Sequence, residues 1–533
     1  MLGSTIERVA APRTPTGPPS RAPSRAEILA ALSVAIDLGL GQPAEHMLRA
    51  ALIGTRIADR LGLDRSQRDC VYYTTLVMWI GCHADSHEFA NWFGDDISVR
   101  RDSYHVDWAG LPYYRFLVAN IGRGEPITQR LTSIATLFVN ARGNMSQLIH
   151  SHCTSAALLA DRMGLGAGVQ NALGFSFERY DGSGLPGGIS GTGIPIEMRV
   201  AQLADMVEVH HRTGGVGAAV EMARERSGRQ FDPGVVDVFA GDADAILAGP
   251  PAGEVWEAAL SCAPDRHEPL QQQSLDELLV ALGDFVDLKC PFTLGHSRAV
   301  AELAGDAAEA VGLGADTVTL VRRAGHVHDL GRIGVSNQVW SKPAALSAAE
   351  FERMRLHPYL TTRILSRIGG LEQVAQIAGN HHECVNGTGY PRSLPGTALG
   401  MPDRILAAAV AYQSALEPRP YRAALDPAAA ARRVRDRAHG GELDEVAAEA
   451  VLGVAGHRTR RSATRPDGLT PREIEVLCLV ARGASNKEIA TVLVISEKTA
   501  RNHVERTYAK IGVTNRIGAS MYALRHGLNQ PLG

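Results

Sequence analysis

The chain has 533 residues, of which 45% are hydrophobic and 21% charged, the balance of folded protein with material for three or four domains. Lys plus Arg (54) nearly equals Asp plus Glu (57), giving a net charge of −3. That excludes a chain basic throughout but allows one basic domain offset by acidic ones.

No run approaches the roughly 18 apolar residues of a membrane span, and charges and prolines fill the N-terminus where a signal peptide has its apolar stretch. The reading is a cytoplasmic protein with no membrane partner. Cys70, Cys82, Cys153, Cys262, Cys290, Cys384 and Cys478 form no C-x-x-C pair. They are read as reduced thiols, not as a disulfide framework or zinc knuckle.

Taken in order, residues 1–28 begin rich in Pro, Ser and Arg and read as disordered. Helical periodicity then dominates, with few β-branched runs, which predicts a mainly α protein. Pro and Gly at Ala248–Gly253 mark one boundary, and the basic, small-residue stretch after Gly456 marks another. The expected division is 29–250, a linker at 251–270, 271–455, a second linker at 456–466, and 467–533.

The first two parts repeat one another. ERYDGSGLP from Glu178 matches ECVNGTGYP from Glu383, an offset of 205 (383 minus 178) that also superposes His152 on His357 and Arg199 on Arg404. Upstream the offset is 250 (296 minus 46), setting EHMLRAA over GHSRAVA and LVMWIGC over HVHDLGR. The 45-residue difference (250 minus 205) is an insertion in the first copy between Cys82 and His152. Two colinear blocks favour duplication.

In the second copy, His328 and Asp329 are adjacent, and on a helix they project about 100° apart. Both can then serve a metal cluster at the helix edge, with Asp bridging two cations. His296, His357, His381 and His382 supply further nitrogen donors. A metal pair suits phosphodiester hydrolysis, because it activates water and stabilises attacking and leaving oxygens. Arg332, one turn beyond His328, is placed to neutralise a phosphate oxygen.

These residues, with Gly389-Tyr390-Pro391 and the segments RILAAAVAY (404–412) and PRPYR (418–422), resemble the HD-GYP branch of the HD phosphohydrolases over roughly 285–435. The resemblance implies an all-helical domain and divalent metal, iron or manganese, held by His296, His328, Asp329, His357, His381 and His382. It further implies a cyclic dinucleotide or other phosphate-containing ligand near Gly389, Tyr390 and Pro391. His328, Asp329 and Arg332 would be catalytic. The chain departs from that pattern in carrying Arg332 for Lys, Asn386 for Asp, and Val410 where the family's terminal metal-binding Asp falls. Valine supplies neither donor nor charge.

The first copy keeps Asp205 at the position of Val410, along with His46, His152 and Glu178. It has Met78-Trp79 for the His-Asp dyad and Ser176-Phe177 for the paired histidines. It reads as a degenerate HD-type domain without a metal cluster, serving sensing, dimerisation or support. Gly182–Gly187 matches G-x-G-x-x-G, but no strand precedes it and Pro186 interrupts it, so dinucleotide binding is discounted.

From Leu469 the helix punctuation is explicit. Thr470, Pro471 and Glu473 form a capping box with Pro at N1, Ser485 and Glu488 repeat the device, and Ser496 caps a third helix. The second and third helices make a helix-turn-helix. The segment, including EIEVLCLVARGASNKEIA, ISEKTARNHV and KIGVTNR, resembles the LuxR-type helix-turn-helix of bacterial regulators. The resemblance implies a four-helix domain binding double-stranded DNA as a homodimer. Lys498, Thr499, Arg501 and Asn502 would lie at the major groove beside Lys510, with Arg472, Lys487 and Ser496 at the backbone.

The expected architecture is two helical HD-type domains in tandem followed by a LuxR-type domain. The preferred reading is a DNA-binding transcription regulator whose HD-type domains sense or process a nucleotide-like ligand. The alternative is an active metal-dependent phosphodiesterase of cyclic di-GMP type coupled to DNA binding. Operator, ligand identity, catalytic competence and whether the copies pack within one chain stay open at this level.

Overall fold

The computed structural model describes residues 21–83, 86–108, 110–122, 127–128, 130–131, 134, 141–251, 253–457 and 469–525. Among these the chain is helical, with isolated bridges and no strand. No helix among them is long and apolar enough to cross a membrane. Two compact units divide the chain, Met1–Gly456 and His457–Gly533.

Within the first unit the repeat is geometric as well as textual. The helix His46–Arg60 begins with Met47 N–H donating to Asp37, and the helix His296–Ala310 begins with Ser297 N–H donating to Asp287. Glu178 accepts from the N–H groups of Gly187 and Ile189, as Glu383 does from Arg392 and Leu394. Arg199 pairs with Asp232, and Arg404 with Asp444. A Cβ at Gly81 would meet the carbonyl oxygen of His152, and one at Gly331 that of His357. These are the same four contacts at the same offsets, except that Asp232 and Asp444 differ by 212 (444 minus 232). The shift of seven positions follows Gly215, whose φ of 79° breaks the helix Ile196–Glu225 where the second half ends its helix Met401–Leu416.

The halves pack within one chain around one continuous apolar core. The helix Arg25–Leu40 makes this possible because its apolar residues run all round it. Ile28, Leu32 and Ile36 are fully buried, and it packs on His46–Arg60 from the first half and on Leu330–Gly334 and His357–Leu365 from the second. Ser24 and Glu27 cap it reciprocally. The expected disorder over 1–28 therefore ends before Ser24, and residues 1–20 lie outside the described residues.

The stretch expected as a linker at 251–270 is also structured. Its apolar residues form the helix Val255–Cys262, which buries Val255, Ala259 and Leu260 against His46–Arg60. The inserted segment of the first half supplies the helices Ser86–Phe93, Asp96–Ser103 and Gly110–Asn120. From it Asp96 reaches the second half, accepting from Ser336 Oγ (2.6 Å) and Asn337 N–H (2.8 Å) and lying 3.6 Å from buried Lys289.

The second unit holds the helices Pro471–Ala481, Asn486–Leu493, Glu497–Lys510 and Arg516–Arg525. The caps fall where the sequence places them: Thr470 accepts from Glu473 N–H, Ser485 from Glu488 N–H and Ser496 from Thr499 N–H. Val476, Leu477, Ile489, Ala500 and Val504 form its core, with Ile474 and Leu493 packed at the margin.

Candidate metal centre and the cavity around it

Three histidines of the second half, His328, His357 and His381, are set by the backbone three residues before them. The helix Ala315–Val327 ends just before the dyad, so His328 caps it and Asp329 leads into the tight turn Leu330–Gly334. His328 Nδ1 donates to the carbonyl of Gly325 (2.8 Å), His357 Nδ1 to Met354 (2.6 Å) and His381 Nδ1 to Ala378 (2.6 Å). With the proton fixed on Nδ1, each Nε2 presents a lone pair inward. His296 Nδ1 faces Glu417 at 2.8 Å, a carboxylate–histidine arrangement that orients metal ligands and raises their basicity.

The donors fall into two groups, His296 with His328 and Asp329, and His357 with His381 and His382, each within 4.8 Å of one another. Asp329 stands between them. Its Oδ1 lies 3.4 Å from His357 Nε2 and 3.6 Å from His381 Nε2, while Oδ2 lies 3.6 Å from His328 Nε2. Burial lowers the His328 pKa to about 4 and those of His357 and His381 to about 3, so these imidazoles are neutral. Burial opposes the charge on Asp329, yet Arg332 and the histidines hold its pKa well below the carboxylate range. Neutral nitrogens, an ionised carboxylate and a buried His328 Nε2 without a hydrogen-bond partner fit a divalent cation. Val410, buried on Met401–Leu416 and lining the same cavity, adds no donor.

Arg332 sits in the turn after the helix, donating to Asp329 at 2.8 Å with its guanidinium 4.1 Å from the Trp340 ring centre. It thus holds Asp329 in place while also lining the cavity. Tyr390 stacks on His382 with ring centres 4.6 Å apart, and Gly389 is required because a Cβ there would meet the backbone of Cys384. Pro391 follows Tyr390 in this loop. The cavity, about 330 Å³, is further walled by Lys342, Arg419, Arg422, Arg433 and Arg437. Motif reasoning missed Glu417 and Trp340. Glu417 directly precedes the PRPYR segment, which was the available signal, and both act through contacts made only in the fold.

In the first half three of the six corresponding positions carry apolar bulk, Met78, Trp79 and Phe177, while His46 and His152 persist and Ser176 stands for His381. Trp79 stands for Asp329 and donates to Asp205 (3.1 Å), and Phe177 stands for His382. His46 joins Asp205 (2.9 Å) and Glu208 (2.5 Å), a buried ion pair where the second half assembles donors.

In the second unit Lys498, Arg501 and Asn502 are exposed at the start of Glu497–Lys510, with Thr499 half-buried and Lys487 exposed on the preceding helix. Ser496 is the cap. Arg472 is committed in part to Glu475 and the Leu493 carbonyl (2.7 Å), and Lys510 to Glu473 (2.8 Å).

The family description "HD domain" matches residues 281–445, and "Bacterial regulatory proteins, luxR family" matches 467–523. A 3'3'-cGAMP-specific phosphodiesterase 3 of Vibrio cholerae is 30% identical over 404 residues, 75% of this chain and 88% of that protein. A crystal structure of a cyclic GMP-AMP-specific phosphodiesterase of V. cholerae superposes with a TM-score of 0.57 at 25% identity, covering 82% of this chain and 99% of that one. An uncharacterised transcriptional regulatory protein of Bacillus subtilis, YhcZ, is 49% identical over 61 residues, 11% of this chain and 28% of that protein. A match of 30% identity across both halves makes this chain a member of the HD-type phosphodiesterase family that carries, in addition, a LuxR-type helix-turn-helix domain.

Proposed function

We propose that the second half binds divalent metal and hydrolyses a cyclic dinucleotide, and that the LuxR-type unit ties this chemistry to double-stranded DNA. The observation carrying the reading is Asp329, whose two oxygens face two separate histidine groups beneath a cavity rimmed with arginine. His357, His381, His382 and Asp329 would hold one cation, and His296, His328 and Asp329 a second with one donor fewer. Bound there, a divalent metal supplies Lewis acidity toward a phosphoryl oxygen and lowers the pKa of water.

The protein's own residues do the rest. Arg433, together with Arg332 and Arg437 beyond their pairs with Asp329 and Glu442, offers positive charge for the two phosphodiesters of a cyclic dinucleotide. Glu417 orients His296, and backbone carbonyls fix the rings of His328, His357 and His381, so these donors are placed before ligand arrives. Tyr390 gives an aromatic wall beside His382.

Val410 favours a second reading, in which the ligand is bound and sensed without turnover. Incubating the full chain with manganese and 3'3'-cGAMP or cyclic di-GMP separates the two. Linear product supports hydrolysis, retained intact nucleotide supports sensing, and neither binding nor product contradicts both. DNA binding by a homodimer belongs to the same proposal, and a gel-shift titration of the full chain tests it.

A further inference from the structure

The first half carries a partly open cleft of about 190 Å³, one wall of which is the insertion that the second half lacks. Its floor is the place where the second half assembles metal donors. There Trp79 and Phe177 meet edge to face (5.3 Å), and Trp108 stacks on Phe177 (5.7 Å, 26°). Its far wall comes from the insertion, chiefly Phe93, Phe116 and Leu117. The insertion and the replacement of the dyad and the paired histidines therefore converge on one mainly apolar cleft, whose lining also includes Arg100, His152, Glu178, Arg179, Gln202 and Asp205.

The cleft is unsuited to a nucleotide. Arg100 is spent on Asp96, Ser86 Oγ and the Cys82 carbonyl, and Arg179 on Asp107 at 2.9 Å. Two of the arginines at the second cavity are also reversed in charge. At the offset of 212 that superposes the two Arg–Asp pairs, Arg433 and Arg437 fall on Glu221 and Glu225. Close-packed interiors contain few voids larger than a water, and apolar cavities of about 150 Å³ stay dry yet take up benzene-sized molecules.

We infer that the first half is a binding site for an uncharged, largely apolar small molecule, seated between the Trp79–Trp108–Phe177 cluster and the inserted helices. The site is independent of the metal centre. Met145 and Leu148, half-buried on the helix Ala141–Arg162, line it from that helix.

The test uses the full chain and N-phenyl-1-naphthylamine, an uncharged probe that fluoresces in apolar surroundings. Saturable binding with quenching of tryptophan emission is expected, and Met145→Trp or Leu148→Trp, which fill the cleft, should weaken it at least tenfold while leaving the circular dichroism unchanged. Absence of saturable binding to the unmodified chain, or undiminished affinity in either folded variant, would overturn the assignment. Should both variants unfold, Trp108→Phe decides: loss of most of the quenching supports the site, and undiminished quenching overturns it.

Discussion

Nε2 of His357 lies 3.1 Å from Nε2 of His381, and each ring gives its Nδ1 proton to a backbone carbonyl. Two bare lone pairs thus face each other in the interior, an arrangement that a shared cation relieves. Metal should accordingly stabilise the fold. At a hundred times its Kd the gain is about 2.7 kcal/mol. Manganese should raise the melting temperature of chelator-treated protein, and His357→Ala should remove most of that rise. A melting temperature indifferent to chelator and metal would contradict the arrangement.

Val410 stands where the HD-GYP pattern has a metal-binding Asp, and in the first half the carboxylate at that position, Asp205, lies 2.9 Å from His46, the counterpart of His296. Val410→Asp should raise the metal bound per chain and speed cyclic-dinucleotide hydrolysis. Elemental analysis and a product assay on the same preparation check both. An unchanged metal content would mean that the missing donor does not limit this site.

Asp96 binds the two halves together, accepting from Ser336 and Asn337 beside buried Lys289 and Arg100. Asp96→Ala leaves the Lys289 ammonium buried without its carboxylate, a loss of about 3–5 kcal/mol. Denaturant unfolding measures it. A change within about 0.5 kcal/mol, as at an ordinary surface position, would show that the joint is dispensable.

The first half should carry its own pH signature. Burial opposes charge on His46, but Glu208 and Asp205 outweigh it and push its pKa up to about 10. Glu208, also against its burial, is drawn down to about 2 by His46 and Arg49. The His46 contribution is complete below its ordinary 6.5 and is lost as pH rises through about 10. That of Glu208 is complete above 4.5 and is lost as pH falls through about 2. Asp37, raised to about 7 mainly by burial, adds a loss with rising pH between 3.8 and 7. Melting temperature should therefore fall from pH 7 to 10, and His46→Gln should flatten that fall. Parallel slopes in the two proteins would contradict it.

In the LuxR-type unit, Lys498→Ala or Arg501→Ala should weaken DNA binding about tenfold, the effect of losing one contact of 1–3 kcal/mol. Arg472→Ala should instead lower stability, because Arg472 bonds the Leu493 carbonyl. Paired binding and melting measurements separate the roles. Equal loss of stability in all three variants would refute the distinction.

The mainly α fold, the repeat and the caps at Thr470, Ser485 and Ser496 were legible because each rests on local spacing. The six residues that gather in two groups able to hold metal stand in short motifs, which is why the sequence singles them out. What the sequence concealed depends on contacts between distant segments. Arg25–Leu40 looks like one more helix until it is found buried between the halves, and Val255–Cys262 lies behind a Pro-Gly stretch that imitates a linker. Glu417 gains its role only by meeting His296, 121 positions away. Trp79 and Phe177 read as lost ligands, whereas together with the insertion they line a cleft.

The metal content of the full chain, purified without oxygen and compared with His381→Ala, tests the central claim most directly. The account predicts near-stoichiometric iron or manganese in the unmodified protein and its loss in a variant that keeps its helical content. A metal-free protein that takes up neither ion on addition would contradict it.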